Sequence, residues 1–321
     1  MKERITKLKQ AFFRGGGLTL DNPLYSRWVP IFTEELLRAD LEPADLTIRA
    51  VLPASGRGAA RVLAAEGGVL AGLEEACWFY THHGLHVERL KADAQGLESG
   101  DAVLRAEGDL KTLLVVERVG LNLLQRMSGI ATATRRLQEL AHRYSAGTFI
   151  VATRKTPWGL LDKRAVHLGG GGTHRLGLWD AILIKTNHLR LLGASEEDAI
   201  SLALKRAWSF RAEAAFLEVE VTGLHGALAA ARVFHDLQRE EGEPLPCAIM
   251  LDNVSPDDAS RIIAALKEEG LYDEVLIEAS GKISETTVGE YAACGVDAIS
   301  VGALTHSPRA LDLRQTIDEA R

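Results

Sequence analysis

The chain has little cysteine, no long apolar run and no overall positive charge, and each shortage closes off a class of protein. Its three cysteines, Cys77, Cys247 and Cys294, are odd in number and far apart. They supply neither a disulfide framework nor the paired spacing of a zinc knuckle, and they read as reduced thiols of a cytoplasmic protein. Charge interrupts every hydrophobic stretch before the roughly 18 residues that a membrane span requires. The basic N-terminus MKERITKLKQAFF leads into no long apolar segment or small-residue cleavage site, so a signal peptide is not expected. Low-complexity segments are missing too. With a formal charge of −7 the chain lacks the basic balance usual for a nucleic-acid-binding surface.

What is there is the composition of an ordinary globular enzyme, 46% hydrophobic and 25% charged, in 321 residues that suggest about two domains. Its positive charge is concentrated. From Arg154 to Arg190 seven Lys/Arg stand against two acids, a local +5 that leaves −12 for the remainder. Such an island raises the local concentration of anions and points to a small anionic ligand.

The second half alternates β-branched runs at 148–153, 181–186, 216–221, 247–252, 274–280 and 298–304 with helical periodicity at 195–210, 225–240, 255–269 and 284–295. That alternation predicts a parallel sheet. Its strand ends are polar: Arg154 and Lys155, Lys185, Glu220, Asp252 and Asn253, Ser280 and Gly281, then Gly302. Polar groups at every strand end favour a (β/α) barrel, whose chemistry gathers on one face, over an open sheet with a single switch point. The N-terminal part predicts an α+β sandwich, with one helix at GLEEACWFYTHH and a hairpin with turns at SGD and EGD. A long helix over 115–144 joins the halves, and the acidic stretch 238–246 predicts an exposed loop.

A cation at the end of a buried strand is costly unless it meets an anion. Lys185 follows AILI, and Arg154-Lys155 follows the first apolar run. Arginine grips carboxylate or phosphate with a planar fork, whereas lysine acts as a point charge. Arg154, Lys155, His174, Arg175 and Lys185 together suit a dicarboxylate beside phosphates; Lys163, Arg164 and Arg190 read as solvated surface. Glu220 and Asp252 fit helix caps, a magnesium site, sugar hydroxyls, or a stabiliser of positive charge developing on a sugar ring. The turns in EASGKI and SVGALTHS expose backbone N–H groups suited to phosphate. Gly169–Gly172 permits close backbone approach or a mobile loop, and is no nucleotide fingerprint. A Schiff-base aldolase using Lys185 and a dicarboxylate- or phosphate-binding sensor are the competing readings.

The strings ERVGLNLLQRMSGIAT, TRKT, GGGTHRLGLWDAILIKTNH, LEVEV, IMLDN, IEASG and ISVGALTHS run in order within Leu41 to Leu313. Together they closely resemble the quinolinate phosphoribosyltransferase family. The resemblance implies an N-terminal α/β sandwich over 1–117, joined by the segment 308–321, and an incomplete α/β barrel of about six strands over 118–307. It implies conversion of quinolinate and phosphoribosyl pyrophosphate to nicotinate mononucleotide, pyrophosphate and carbon dioxide with Mg²⁺. A homodimer with active sites at the subunit interface is implied as well.

Position by position, Arg118 would reach the neighbouring subunit's quinolinate. Arg154, Lys155, His174, Arg175 and Lys185 would line the pocket, with Lys155 also near the pyrophosphate. Glu220 and Asp252 would serve the ribose and its magnesium. Asn253, Ser280, Gly281, Lys282, Gly302 and His306 would hold the phosphoribosyl phosphate. Several positions depart from the family pattern. The TRKT segment is about two residues short and lacks its following arginine. Ala152 and Thr186 replace aspartates, Thr173 an asparagine and Lys282 a glycine, and the stretch near 238–246 is an insertion. A paralogue found with molybdate-transport genes, acting on another acceptor, is the nearest alternative.

Overall fold

A computed structural model describes residues 2–52, 56–193, 195–239 and 245–320. The middle of the predicted loop at 238–246 lies outside the described residues. The chain forms two compact units, one of Met1–Gly15, Arg136–Pro157 and Gly171–His306, the other of Gly16–Arg135, Trp158–Gly170 and Ser307–Arg321. They interleave along the sequence.

α1 (Lys2–Phe12) opens the chain and belongs to the first unit. Elements of the second unit follow: α2 (Pro23–Leu41), α3 (Leu46–Val51), β1 (Arg57–Ala64), β2 (Gly68–Val69), α4 (Leu73–His82), β3 (His86–Arg89), β4 (Gly96–Leu97) and β5 (Ala102–Asp109). α4 is the expected helix; α1, α2 and α3 were not expected. α2 starts where the Asn22 side chain accepts from the N–H groups of Leu24 and Tyr25, with Pro23 at the first helical position.

The turn at Ser99–Asp101 forms, with Glu98 N–H donating to Asp101 Oδ2 at 2.9 Å. It makes no hairpin, because β4 pairs with β2 while β5 pairs with β1 and β3. The second expected turn, at Glu107–Asp109, is instead the end of β5. Asp109 Oδ1 accepts from Thr112 N–H at 2.9 Å, which starts α5 (Leu110–His142) directly, ahead of the predicted 115.

The predicted parallel strands are all present: β6 (Phe149–Val151), β7 (Ile182–Ile184), β8 (Leu217–Val221), β9 (Cys247–Asp252), β10 (Leu276–Ser280) and β11 (Ala298–Ser300). Between and after them come α6 (Leu160–Leu168), α7 (Thr186–Arg190), α8 (Glu196–Trp208), α9 (Leu224–Arg239), α10 (Pro256–Glu268), α11 (Val288–Ala293) and α12 (Ala303–His306). β12 (Leu313–Ala320) returns to the second unit and completes its antiparallel sheet in the order β12-β1-β5-β3.

The parallel strands pair in the order β6-β11-β10-β9-β8-β7, so β6 and β7 are edges and the barrel is incomplete between them. β8 is buried at all of its positions, as a strand covered on both faces must be. Near the gap, Gly172 forms a parallel bridge to Val151. A Cβ at Gly172 would lie 2.9 Å from Val151 Cγ1 and 3.1 Å from Phe12 O, so here the glycine run serves close approach.

At the opposite end α1 fills the barrel. Leu8, Ala11 and Phe12 are buried with Val151, Ala181, Phe216, Ala248, Leu276 and Ala298, which belong to or immediately precede the six strands. A fully buried Leu or Phe contributes about 1.5–3 kcal/mol, which explains why the N-terminal helix belongs to this unit. Among the described residues no helix is long and apolar enough to cross a membrane.

Candidate active site

A cavity of about 330 Å³ is lined by residues at the C-terminal ends of the barrel strands. Side chains alternate along a strand, so a terminal residue and the one two positions earlier face the same way. The lining follows that rule: Leu183 with Lys185, Met250 with Asp252, and Glu278 with Ser280. β6 leads into Ala152, Thr153, Arg154 and Lys155, β11 supplies Ser300, and His174 and Arg175 enter from the segment ahead of β7. The deeper positions Leu183, Met250, Glu278 and Ser300 were not singled out from the sequence, although the acids in LEVEV and LIEAS already carried the period-two pattern.

The cations differ in their satisfaction. Arg154 and Lys155 are exposed, whereas Arg175 is 7% exposed. Among the described residues the Arg175 guanidinium has no hydrogen bond or ion pair. Burial, and then the Arg154 charge, push its pKa below the ordinary arginine value.

Lys185 is paired. Its Nζ donates to Glu220 Oε2 at 2.7 Å, while Thr186 donates to Glu220 Oε1 through its hydroxyl at 2.6 Å and its N–H at 3.1 Å. Burial opposes ionisation of Glu220, but the hydrogen bonds from Lys185 and Thr186 outweigh it and hold the carboxyl below its usual range. Both Glu220 oxygens therefore accept hydrogen bonds. Asp252 accepts from Asn253 Nδ2 at 2.9 Å through Oδ2, and no donor to Oδ1 is found among the described residues.

His174 contributes to the wall through its ring rather than through a free nitrogen. It adopts φ 52, and its ring stacks on Phe12 at 4.8 Å. Arg175 N–H donates to Nδ1 at 2.8 Å, which assigns the ring proton to Nε2. Nε2 lies 2.9 Å from Glu218 Oε2 and 3.0 Å from Glu278 Oε2, although its angles satisfy hydrogen-bond geometry with neither. Burial opposes a charge on His174 and the two acids favour one. The acids prevail and push the imidazole up to about 9, in competition with the Arg175 N–H that occupies Nδ1. Burial, and then the Glu278 charge, push Glu218 up to about 7. The three ligand atoms lie within 4.8 Å of one another, a spacing that could hold an ion. Magnesium prefers oxygen ligands and retained water, which this buried, imidazole-containing trio does not offer.

At the last strand ends the backbone is tight. A Cβ on Gly281 (φ +116) would lie 2.5 Å from Asn253 Oδ1, and Asn253 and Lys282 take φ 55 and 51. A Cβ on Gly302 would lie 3.2 Å from Lys155 Cδ and 3.3 Å from His306 Cδ2, so glycine lets these two side chains approach. The helices that follow, α11 and α12, have 6 and 4 residues. They are too short for helix termini to carry anion binding.

The other cations of the island separate. Arg190 is exposed, as expected. Lys163 and Arg164 are not surface residues: they lie on α6 in the second unit, 0% and 6% exposed. Arg164 pairs with Glu75 at 2.7 Å and with Glu74, which compensates its buried charge. Arg118 lies on α5, also in the second unit; its side chain is 56% exposed, with Glu117 at 4.0 Å.

The family "Quinolinate phosphoribosyl transferase, C-terminal domain" matches residues 130–315, and the corresponding N-terminal domain matches 45–128. A probable nicotinate-nucleotide pyrophosphorylase (carboxylating) from Methanothermobacter thermautotrophicus is 37% identical over 281 residues, 87% of this chain and 95% of the relative. A mitochondrial quinolinate phosphoribosyltransferase (decarboxylating) from Nicotiana tabacum is 35% identical over 285 residues, 85% of this chain and 77% of the relative. The solved nicotinate-nucleotide pyrophosphorylase of Francisella tularensis superposes with a TM-score of 0.77 at 30% identity, covering 91% of this chain and 96% of the other.

Proposed function

The chain belongs to the quinolinate phosphoribosyltransferase family, and from that membership and the pocket geometry we propose how it works. It transfers phosphoribose from phosphoribosyl pyrophosphate to quinolinate with decarboxylation, giving nicotinate mononucleotide, pyrophosphate and carbon dioxide. The observation that carries the residue assignment is the buried Arg175, without a hydrogen-bond or ion-pair partner among the described residues, beside Arg154 and Lys155 in a cavity whose far strands end in Asp252 and Ser280.

Arg154, Arg175 and Lys185 bind the two carboxylates of quinolinate, with His174 as a wall, and Lys155 faces both quinolinate and the leaving pyrophosphate. Departure of pyrophosphate leaves a ribose with oxocarbenium character. Glu220, kept ionised by Lys185 and Thr186, stabilises that charge while the pyridine nitrogen attacks. The C–C bond to the adjacent carboxylate then breaks to release carbon dioxide; the quaternised nitrogen stabilises the electron pair left on the ring carbon as an ylide, and that carbon takes a proton from water. No general acid or base is required. Ser280, Gly281, Lys282, Asn253, Gly302 and His306 hold the sugar phosphate.

For magnesium the donor set fits at Asp252 and at Glu220 Oε2, which takes a single donor among the described residues; these would hold it together with pyrophosphate oxygens. When bound, Mg²⁺ supplies charge neutralisation at the leaving group. The assembly we propose is a cytoplasmic homodimer in which Arg118 reaches the partner's quinolinate.

An aldolase would need Lys185 as a free amine, but its Nζ is committed to Glu220 at 2.7 Å. The other acceptor of the molybdate-associated paralogue draws no support from the relatives named above. Incubation with phosphoribosyl pyrophosphate, Mg²⁺ and either quinolinate or nicotinate tests the assignment. Nicotinate mononucleotide should form from quinolinate, and its formation from nicotinate alone would refute the reading.

A further inference from the structure

We propose that Thr186 is a positioning residue for the transfer step, locking the Glu220 carboxylate in the orientation that faces the ribose while tying it to Lys185. The proposal deepens the phosphoribosyl-transfer reading and rests on it. Thr186 is the first residue of α7, so its N–H has no acceptor within the helix and is free to meet Glu220 Oε1 at 3.1 Å. Its hydroxyl adds a second, shorter bond to the same oxygen, 2.6 Å, while Lys185 Nζ takes the other oxygen at 2.7 Å.

Three donors on two oxygens fix both the tilt and the rotation of the carboxylate. Lysine alone, on a flexible stem with freely rotating donors, fixes neither. An ionised acid at 186 would face Glu220 as a like charge, and an apolar side chain would leave Oε1 only the longer bond. Glu220 acts on charge that develops on the ribose in the transition state, so its misplacement should appear in turnover and leave ground-state binding of quinolinate largely intact.

Thr186→Val keeps the β-branched shape and removes only the hydroxyl; Thr186→Ser restores it. The loss of one hydrogen bond to a charged group should lower kcat about ten- to a hundredfold in Thr186→Val, with KM for quinolinate within about threefold, and Thr186→Ser should return to within about threefold of the parent. A crystal structure of Thr186→Val should show the Glu220 carboxylate turned away. Parental turnover in Thr186→Val, a serine variant as slow as the valine one, or an unmoved carboxylate would each overturn the proposal. If the parent protein makes no nicotinate mononucleotide, the reaction reading falls, while the Thr186→Val structure still decides whether the hydroxyl holds Glu220.

Discussion

Replacing Arg175 with Met should make the empty protein more stable and the enzyme far worse. Arg175 is 7% exposed and has no anion or acceptor at its guanidinium among the described residues. Burial and the Arg154 charge both disfavour its charged form, and Glu218 offsets this only in part. A buried cation without a partner destabilises a fold by several kcal/mol before relaxation. With the partial offset, methionine of similar length should gain about 1–2 kcal/mol, a rise in Tm of roughly 2–8 °C. The same guanidinium should make two charge-assisted bonds to a quinolinate carboxylate, each worth about 1.5–3 kcal/mol. kcat/KM for quinolinate should then fall by about 10²–10⁴. Thermal unfolding with and without quinolinate, alongside steady-state kinetics, reads both effects. A lower Tm together with parental kinetics would refute the reasoning, because it would make Arg175 a structural residue.

Mixed Arg118→Ala and Lys185→Ala subunits, each inactive alone, should recover roughly a quarter of parental activity, since half the dimers carry one intact site. No recovery on subunit exchange would count against a shared site. Glu218 has an ordinary pKa of 4.5 and is pushed up to about 7 in the fold, so the folded state binds more protons between these values. Its contribution to stability is complete below about 4.5 and is lost as pH rises through about 7, by at most about 3 kcal/mol. Glu218→Gln should flatten that slope in urea titrations, and an unchanged slope would contradict the assignment. Gly281→Ala places a Cβ 2.5 Å from Asn253 Oδ1 at φ +116. It should cost about 2 kcal/mol and raise KM for phosphoribosyl pyrophosphate while leaving quinolinate affinity unchanged, whereas a neutral effect on both would argue against a tight phosphate loop.

The barrel was legible because its strands are short, mostly apolar runs ending in chemistry, and 247–252 coincides with β9 to the residue. The N-terminal helices were less legible. α1 is held by long-range burial of Leu8, Ala11 and Phe12 that local pattern does not reveal, although Asn22-Pro23 was a usable start signal for α2. Charge counting found the cationic island but could not divide it. Lys163 and Arg164 share its sequence and not its place, since acids from the distant segment at 74–75 neutralise Arg164. The deeper pocket layer, Glu278 and Ser300, follows from strand alternation once the strand ends are known. Sequence offered no sign that Thr186 and Lys185 would converge on one carboxylate, because that depends on neighbouring strands keeping parallel register, Ile184 opposite Val219.

The central claim is that this pocket joins phosphoribose to quinolinate and expels the carboxylate next to the ring nitrogen. Quinolinate labelled with ¹³C in that carboxyl, incubated with phosphoribosyl pyrophosphate and Mg²⁺, should release one labelled carbon dioxide for each nicotinate mononucleotide formed. A nucleotide product that retains the label, or release of label without nucleotide, would contradict it.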